Sequence, residues 1–219
     1  LFENLRFLED REPRDPFLQM AVDEALLESS GVPVLRVYCW DRPNVSVGYF
    51  EKIEGARRRH PGHLLVRRWT GGGTVVHGAD APYSLIVPRG EPFAAVRPAE
   101  SYRRIHGILA TVLRSALPSV ALAAADAPKI SSACFENPVT DDLMWDGCKI
   151  AGAGQRRTRA GLLHQGSLQL GTAEFRQARE FANRLSAKAS DIGLASHELA
   201  RANVLADSRY RTAAWLELR

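Results

Sequence analysis

Arg67-Arg68-Trp69-Thr70-Gly71-Gly72-Gly73-Thr74-Val75-Val76-His77 is the stretch on which the reading of this chain turns. The apolar run Leu64-Leu65-Val66 just before it is of strand type, so the three glycines fall at the carboxyl end of a strand. Consecutive glycines cost backbone entropy and add no side chain to a core. What they permit is positive φ and close approach of backbone to a ligand, with N–H groups left bare for anionic or carbonyl oxygens. Ligands in folds mixing helix and sheet commonly bind at such strand ends. The spacing fits neither the P-loop, G-x-x-x-x-G-K-[ST], nor the dinucleotide turn, G-x-G-x-x-G. Taken alone, the stretch reads equally as a surface turn between solvated arginines.

The 219 residues around it suffice for one sizeable core. Hydrophobic residues at 45% and charged residues at 25% give the composition of a globular chain rather than a disordered one. No apolar run approaches the ~20 residues of a membrane helix, and no basic-then-apolar leader is present. Three cysteines without framework spacing predict reduced thiols and a cytoplasmic setting. The net charge is +4, and arginines gather at Arg57-Arg58-Arg59, Arg67-Arg68 and Arg156-Arg157 with Arg159. Such clusters attract an acidic partner or a phosphate. They lack the amphipathic helix or stacking strand of a nucleic-acid binder, so neither nucleic acid nor membrane is expected as a partner. The absence of His-x-x-x-His and Cys-x-x-Cys pairs predicts no protein-bound metal.

Asp15 followed by Pro16 marks a helix start, with Phe17, Met20, Ala21, Glu24 and Leu27 at helical spacing up to Gly31. Val34 to Tyr38 and Val45 to Tyr49 alternate as strands joined by a turn through Asp41-Arg42-Pro43-Asn44. A short helix from Lys52 to His60, a strand over Leu64 to Arg68 and another over Tyr83 to Val87 follow. Pro98 to Leu117 has the pattern of a long amphipathic helix, and Val120 to Ala125 that of a strand. Asp146-Gly147 favours a tight I′ turn between Asp141–Trp145 and Cys148–Ala153, with Leu162 to Leu170 as the neighbouring strand. From Ala173 onward the pattern is helical. Strands in meandering pairs with helices interspersed predict an α+β fold, a mixed and mostly antiparallel sheet flanked by helices, in one domain over residues 1–219.

Among reactive side chains, Lys149 sits just past the hairpin turn. On position alone it is a solvated strand residue that anchors no core. Cys39 lies between Tyr38 and Trp40 as a small apolar residue, and strand alternation turns Cys148 away from Lys149. Cys134 lies in the loop-like Ser131-Ser132-Ala133-Cys134-Phe135-Glu136-Asn137-Pro138, where a thiolate could reach a pocket beside a Lys or His, or where the thiol is simply buried. His77 and His164 are the histidines placed to shuttle protons or to hold a strand by hydrogen bonds.

Five segments, in order from about residue 5 to residue 171, resemble the biotin/lipoate protein ligase superfamily, specifically lipoate-protein ligases and octanoyltransferases. They are Gln19 to Leu27, Leu35 to Glu51, the Arg67–His77 stretch, the Lys149-Ile150-Ala151-Gly152-Ala153 hairpin and His164-Gln165-Gly166-Ser167-Leu168. The resemblance implies a catalytic domain like that of class II aminoacyl-tRNA synthetases and biotin synthetase. It implies that Lys149 meets the acyl carbonyl, and that Arg68, Gly71, Gly72, Gly73, His77, Gly152, Ala153 and His164 shape the acyl site. The Cys134 loop resembles that of the cysteine-dependent octanoyltransferases, in which this cysteine takes the acyl group as a thioester. The implied activity is transfer of an octanoyl or lipoyl group from octanoyl-acyl carrier protein to a lysine of lipoyl domains. Those acceptors are the glycine cleavage H protein and the acyltransferase subunits of oxo-acid dehydrogenases, and no cofactor is implied. Two alternatives stand beside it: a lipoate-protein ligase using ATP and Mg²⁺, and a non-catalytic lipoyl-binding relative. The short remainder after Thr172 and the presence of Cys134 weigh against the first, and Cys134 with Lys149 against the second. The chain departs from the family pattern at Glu51, at Gly78 to Pro82 and at Gly154.

Overall fold

Two sheets of unequal size set the frame, and the glycine turn lies where they meet. The computed structural model describes residues 1–218 except Ser132 and Ala173. In chain order the elements are β1 (Leu5–Arg14), α1 (Pro16–Ser29), β2 (Val34–Trp40), β3 (Asn44–Val47), α2 (Ile53–Arg59), β4 (Leu65–Arg67), β5 (Val75–His77) and β6 (Ala81–Pro88). Then come α3 (Pro98–Leu113), β7 (Ala121–Leu122), β8 (Leu143–Trp145), β9 (Cys148–Arg157), β10 (Gly161–Leu168), α4 (Ala178–Leu185), β11 (Ala189–Asp191), α5 (Ser196–Leu205) and α6 (Ala213–Leu216).

Among the described residues the large sheet runs β11-β1-β2-β6-β10-β9-β8-β7 and the small one β4-β3-β5. In the large sheet β1 is parallel to β11 and β2, and every pairing from β2 to β7 is antiparallel. The α+β expectation of a mixed, mostly antiparallel sheet flanked by helices therefore holds. The central strands β6 and β10 are buried at every position because helices cover both faces. Alternation splits their side chains. Leu35, Leu85 and Leu162 pack with Leu109 of α3 and Phe181 of α4, whereas Val34, Ile86 and Leu163 pack with Leu26 of α1 and Ala202 of α5. None of the described helices is long and apolar enough to cross a membrane.

Local signals placed several elements well. The Asp15 side chain caps α1 by accepting from Phe17 N and Leu18 N, with Pro16 in the first turn. Asp146 (φ 47°) and Gly147 (φ 79°) adopt the paired positive φ of the I′ turn between β8 and β9.

Other expectations are corrected. β2 and β3 do not pair: the Asp41–Pro43 turn carries the chain from the large sheet to the small one. Helix α3 ends at Leu113, and the strand expected over residues 120–125 shrinks to Ala121–Leu122. The tail is not all helical, since β11 pairs with β1; Ala173, where that helical reading began, lies outside the described residues. β1 itself carries six charged residues in ten, a pattern that does not read as a buried strand. Its inward charges, Arg6, Asp10 and Arg14, are paired inside, while Glu9, Arg11 and Glu12 face solvent. Arg6 ion-pairs with Glu198, and Asp10 accepts from Arg14 (2.6 Å) and Arg36 (2.8 Å).

Arg36 is wholly buried, with Nη1 2.8 Å from Asp23 and Nη2 2.8 Å from Asp10. Burial alone would raise the Asp10 pKa, but Arg36 and Arg14 hold it below its ordinary value. Arg36→Ala should therefore destabilise the fold by about 3–5 kcal/mol, the cost of stranding buried charge. Urea unfolding at neutral pH measures this, and a loss near zero would show that water reaches Asp10 and Asp23.

Candidate active site

Cys134 opens a short 3₁₀ turn, Cys134–Glu136, on a loop that is tied down on two sides. Its N–H donates to Thr74 O (2.8 Å), beside β5. Asn137 clamps the loop from within: its Oδ1 accepts from Ile130 N (2.7 Å) and its Nδ2 donates to Ala133 O (2.5 Å). Ser132 of this motif lies outside the described residues.

Lys149 reaches the loop from β9. Its Nζ lies 3.4 Å from Cys134 Sγ, 2.9 Å from Cys134 O and 2.7 Å from Asp142 Oδ2. Three acceptors match the three protons of an ammonium group, and the Phe135 ring lies 5.3 Å away on a further side. Asp142 is held in turn by Val139 N–H (2.7 Å) and by Tyr102 O–H on its other oxygen (2.5 Å). The Tyr102 oxygen accepts from Ala153 N (3.0 Å), which fixes the phenol as a donor to Asp142. Burial, then Asp142, pushes the Tyr102 pKa well above its ordinary value, so the phenol stays protonated. Lys149 is thus no solvated strand residue: its side chain is 2% exposed and Asp142 is fully buried. The position-based reading fails because the partner arrives from the segment before the hairpin. The result is a sulfur with a fixed cationic neighbour, the electrostatic condition for a thiolate nucleophile.

The glycine turn forms the opposite wall. Arg68 Nη2 donates to Gly71 O (2.9 Å) and Gly73 O (2.6 Å), while Nη1 donates to Ser46 O (3.2 Å) and Ser46 Oγ (3.1 Å). Gly72 has φ +92°, where a side chain would be strained and a Cβ would come 2.9 Å from Arg68 Nη2. On the facing strand a Cβ at Gly154 would lie 2.5 Å from Gly71 O, so only glycine lets β9 come this close. Thr70 Oγ1 donates to Gln165 Oε1 (2.8 Å), and Gln165 Nε2 to the buried Asp23 (2.7 Å), which ties the turn to α1.

Between these walls is a small cavity of about 30 Å³, lined by Trp40, Ser46, Arg68, His77, Cys134 and the Gly152–Gly154 stretch. A wider hollow of about 360 Å³ borders Asp10, Cys39 and Phe175 instead, away from Cys134 and Lys149.

The structure thus brings Cys134, Lys149, Arg68, His77, Gly152 and Ala153 together. It does not bring His164, which is fully buried in the sheet core with Nε2 3.3 Å from Tyr83 Oη and Nδ1 3.2 Å from Gln155 Nε2. Burial, then neighbouring His106, pushes its pKa well below the ordinary value, so the ring is neutral. Gly71 and Gly73 spend their carbonyls on Arg68. Cys148 is exposed, and the Cys39 thiol donates to Arg11 O (3.3 Å). Asp142, Tyr102, Ser46 and Asp80 belong to the site but were not singled out from the sequence. The alternation of Val45-Ser46-Val47 offers the one local hint, by turning Ser46 opposite to its apolar neighbours.

Residues 15–208 match the model of the lipoyl protein ligase A/B catalytic domain. The chain is 34% identical to octanoyltransferase LipM of Staphylococcus aureus over 171 residues, 71% of this chain and 62% of that protein. It is 38% identical to octanoyltransferase LipM of Geobacillus kaustophilus over 173 residues, with the same 71% and 62% shares. The matched stretch spans about 62% of the length of these relatives. Among solved structures, a lipoate-protein ligase A bound with ATP superposes with TM-score 0.76 at 20% identity, covering 98% of each chain. A putative lipoate protein ligase from T. acidophilum with bound lipoic acid gives TM-score 0.77 at 20% identity, covering 99% of this chain and 100% of that one. At that identity these two likenesses establish the fold.

Removing Lys149 strands the carboxylate of Asp142 inside the protein. Lys149→Ala should lower stability by about 3–5 kcal/mol, and Asp142→Ala added to it should restore part of that loss. Thermal and urea unfolding of the single and double variants check this. A Lys149→Ala protein as stable as wild type would mean that Asp142 needs no counter-charge.

Proposed function

The chain belongs to the lipoyl protein ligase A/B catalytic domain family, and from that membership we propose that it is an octanoyltransferase working through a thioester on Cys134. The observation that carries the reading is the 3.4 Å contact of Lys149 Nζ with Cys134 Sγ, with the cation held from behind by Asp142. A family member that activated a free acid with nucleotide would have no use for a thiol at that point. The identity to two LipM octanoyltransferases supports the same branch.

The reaction has two halves. The Cys134 sulfur attacks the thioester carbon of an octanoyl-acyl carrier protein, the new C–S bond forms, and the carrier thiolate leaves. A lysine amine of a lipoyl domain then attacks the acyl-Cys134 carbon, the amide forms, and Cys134 departs as thiolate. In both halves Lys149 supplies fixed positive charge beside the reacting carbonyl, on whose oxygen negative charge develops. Arg68, through Gly71 and Gly73, shapes the wall of the acyl cavity, with Gly72 at its crest. His77, Gly152 and Ala153 line the cavity, and His164 supports β10 from the core side. Because the thioester bond energy carries through to the amide, the reaction consumes no nucleotide and calls for no metal. Three free thiols suit a reducing cytoplasm. The acceptors proposed are the glycine cleavage H protein and oxo-acid dehydrogenase acyltransferase subunits; a structural relative is described with its E2 lipoyl domain.

Mixing the protein with octanoyl-acyl carrier protein should give one octanoyl adduct, lost on hydroxylamine treatment and absent in Cys134→Ala. Intact-mass spectrometry under denaturing conditions reads this directly. ATP, Mg²⁺ and free octanoate without the carrier should give neither adduct nor modified lipoyl domain. Efficient modification under those conditions would establish ligase chemistry instead, and an adduct mapping to Cys39 or Cys148 would refute the assignment of the nucleophile.

A further inference from the structure

Arg156 and Arg157 are neighbours in β9, and the strand sends them to opposite faces. Arg157 turns toward α3, where it donates to Ser101 Oγ (2.7 Å) and to Ala94 O (2.5 Å). Arg156 turns toward the glycine turn. Its guanidinium carbon lies 4.7 Å from the centroid of the Tyr49 ring and 5.4 Å from that of Trp69. Two rings against a planar guanidinium occupy its faces and leave its N–H donors pointing outward in the plane. Those donors have no taker. Nε is buried without a partner, and Arg156 forms no hydrogen bond or ion pair among the described residues. Other arginines drawn in from solvent are all engaged: Arg6 with Glu198, Arg36 with Asp10 and Asp23, Arg68 with the carbonyls of the turn. Arg209 also lies over Trp69 (5.7 Å), but it is matched by Glu24, whose other oxygen takes the Tyr210 hydroxyl (2.6 Å). Glu24 is therefore spent, and Arg156 keeps an unmatched charge on a half-buried, pre-oriented fork.

Its position relative to the thiol is fixed by the strand. β9 pairs with β10 without interruption from Ala151 to Arg157, so alternation puts Gly152, Gly154 and Arg156 on one face. A Cβ at Gly152 would lie 2.5 Å from Lys149 Cε, which places that end of the face beside the Lys149–Cys134 pair. From Gly152 to Arg156 the extended strand covers about 13 Å. Between them stands the glycine turn, packed on Gly154 and exposed at Gly72. Tyr49 is bonded to that turn through its N–H to Thr70 O (2.9 Å), and Trp69 leads into it. An acyl carrier protein presents its thioester on an arm of about thirteen bonds that ends in a phosphodiester. At three bonds per residue of extended chain, this is roughly four residues' length, ~14 Å. The arm spans from the thiol to the guanidinium.

We propose that Arg156, braced by Tyr49 and Trp69, binds the phosphodiester of the donor's arm; this rests on the transferase reading above. The fork donates to the phosphate oxygens, the arm crosses the crest of the turn at Gly72, and the thioester carbonyl is set down between Cys134 and Lys149. Arg156 touches no reacting atom. It selects donors whose thioester is carried on a phosphorylated arm, and it acts in the first half-reaction alone, since the acceptor lysine brings no phosphate.

The test measures octanoyl-Cys134 formation from two small donors that differ only in the phosphate, the octanoyl thioesters of phosphopantetheine and of pantetheine. For the wild-type protein KM should be about tenfold lower with the phosphorylated donor, the scale of one partly exposed charge-assisted contact, and the difference should shrink as salt is raised. Arg156→Met should bring the two KM values together by raising that of the phosphorylated donor, and Arg156→Lys should keep part of the gap. Equal KM values in the wild-type protein would overturn the proposal without recourse to any variant. So would an Arg156→Met protein that loses both donors in the same proportion, or one in which isolated octanoyl-Cys134 protein transfers more slowly to a lipoyl domain. ATP binding by calorimetry that Arg156→Met abolishes would assign the site to a nucleotide and overturn the carrier arm. Failure of the wild-type protein to form octanoyl-Cys134 from any donor would instead overturn the transferase reading, and this proposal with it.

Discussion

The fold hangs on a guanidinium sealed inside it. Arg36, from the middle of β2, donates to Asp10 of β1 and to Asp23 and Gln19 of α1. Arg14 takes the other oxygen of Asp10, so two cations and two carboxylates balance in the interior. The chain of contacts continues outward. Asp23 Oδ2 accepts from Ser84 Oγ of β6 (2.5 Å) and from Gln165 Nε2 of β10 (2.7 Å), and Gln165 accepts from Thr70 at the glycine turn. Well-packed apolar residues could give comparable stability at such a centre, since desolvating two ion pairs consumes most of what their attraction returns. What the polar cluster adds is directionality. It fixes α1 against three strands and hands that registration on to the wall of the cavity.

The same logic governs the cation beside Cys134, with one difference that matters for chemistry. One of the Lys149 contacts is a sulfur whose charge changes when it is acylated. A lysine held by the sulfur alone would relax toward water between the two halves of a transfer. Here Asp142, itself fixed by Tyr102 and Val139, keeps the ammonium in place whatever the state of the thiol. Electrostatic help that needs no rearrangement at the moment of reaction is the kind that lowers a barrier most.

Much of this was legible in the sequence where the determinants are local. The Asp15-Pro16 cap, the Asp146-Gly147 turn and the alternating central strands each carry their signal within a few residues. β1 was not legible, because Leu5–Arg14 reads as polar until Glu198 and Arg36 are seen to meet Arg6 and Asp10 from elsewhere, with Arg14 of the same strand on the other oxygen of Asp10. The split of β2 and β3 between sheets was hidden for a related reason: a four-residue turn signal says that the chain bends, not which strand it will meet. For the site, the motifs identified the residues that gather around the cavity but not their second partners. Asp142 and Asp80 look like ordinary surface acids until the hairpin and the small sheet close over them, and His164 sits inside a motif yet faces the core.

The glycine stretch itself changes meaning in three dimensions. Its sequence suggests N–H groups offered to a ligand, yet its carbonyls are what the structure puts to use, turned onto Arg68. That guanidinium is buried, with no carboxylate partner among the described residues; carbonyl dipoles and the Ser46 hydroxyl carry it instead. Burial accordingly pulls its pKa below the ordinary arginine value. Lys149 is paired with Asp142, but Arg68 has no ion pair of its own, so it adds a local positive field where it lines the cavity, opposite the Asp80 carboxylate behind His77. A field of that sign favours whatever negative charge arises there, first on the thiolate sulfur and then on the oxygen of a tetrahedral adduct. Gly72 at positive φ, with Gly48 and Gly154 giving the turn room on either side, is what allows the backbone to wrap a cation closely enough to hold it without cancelling it.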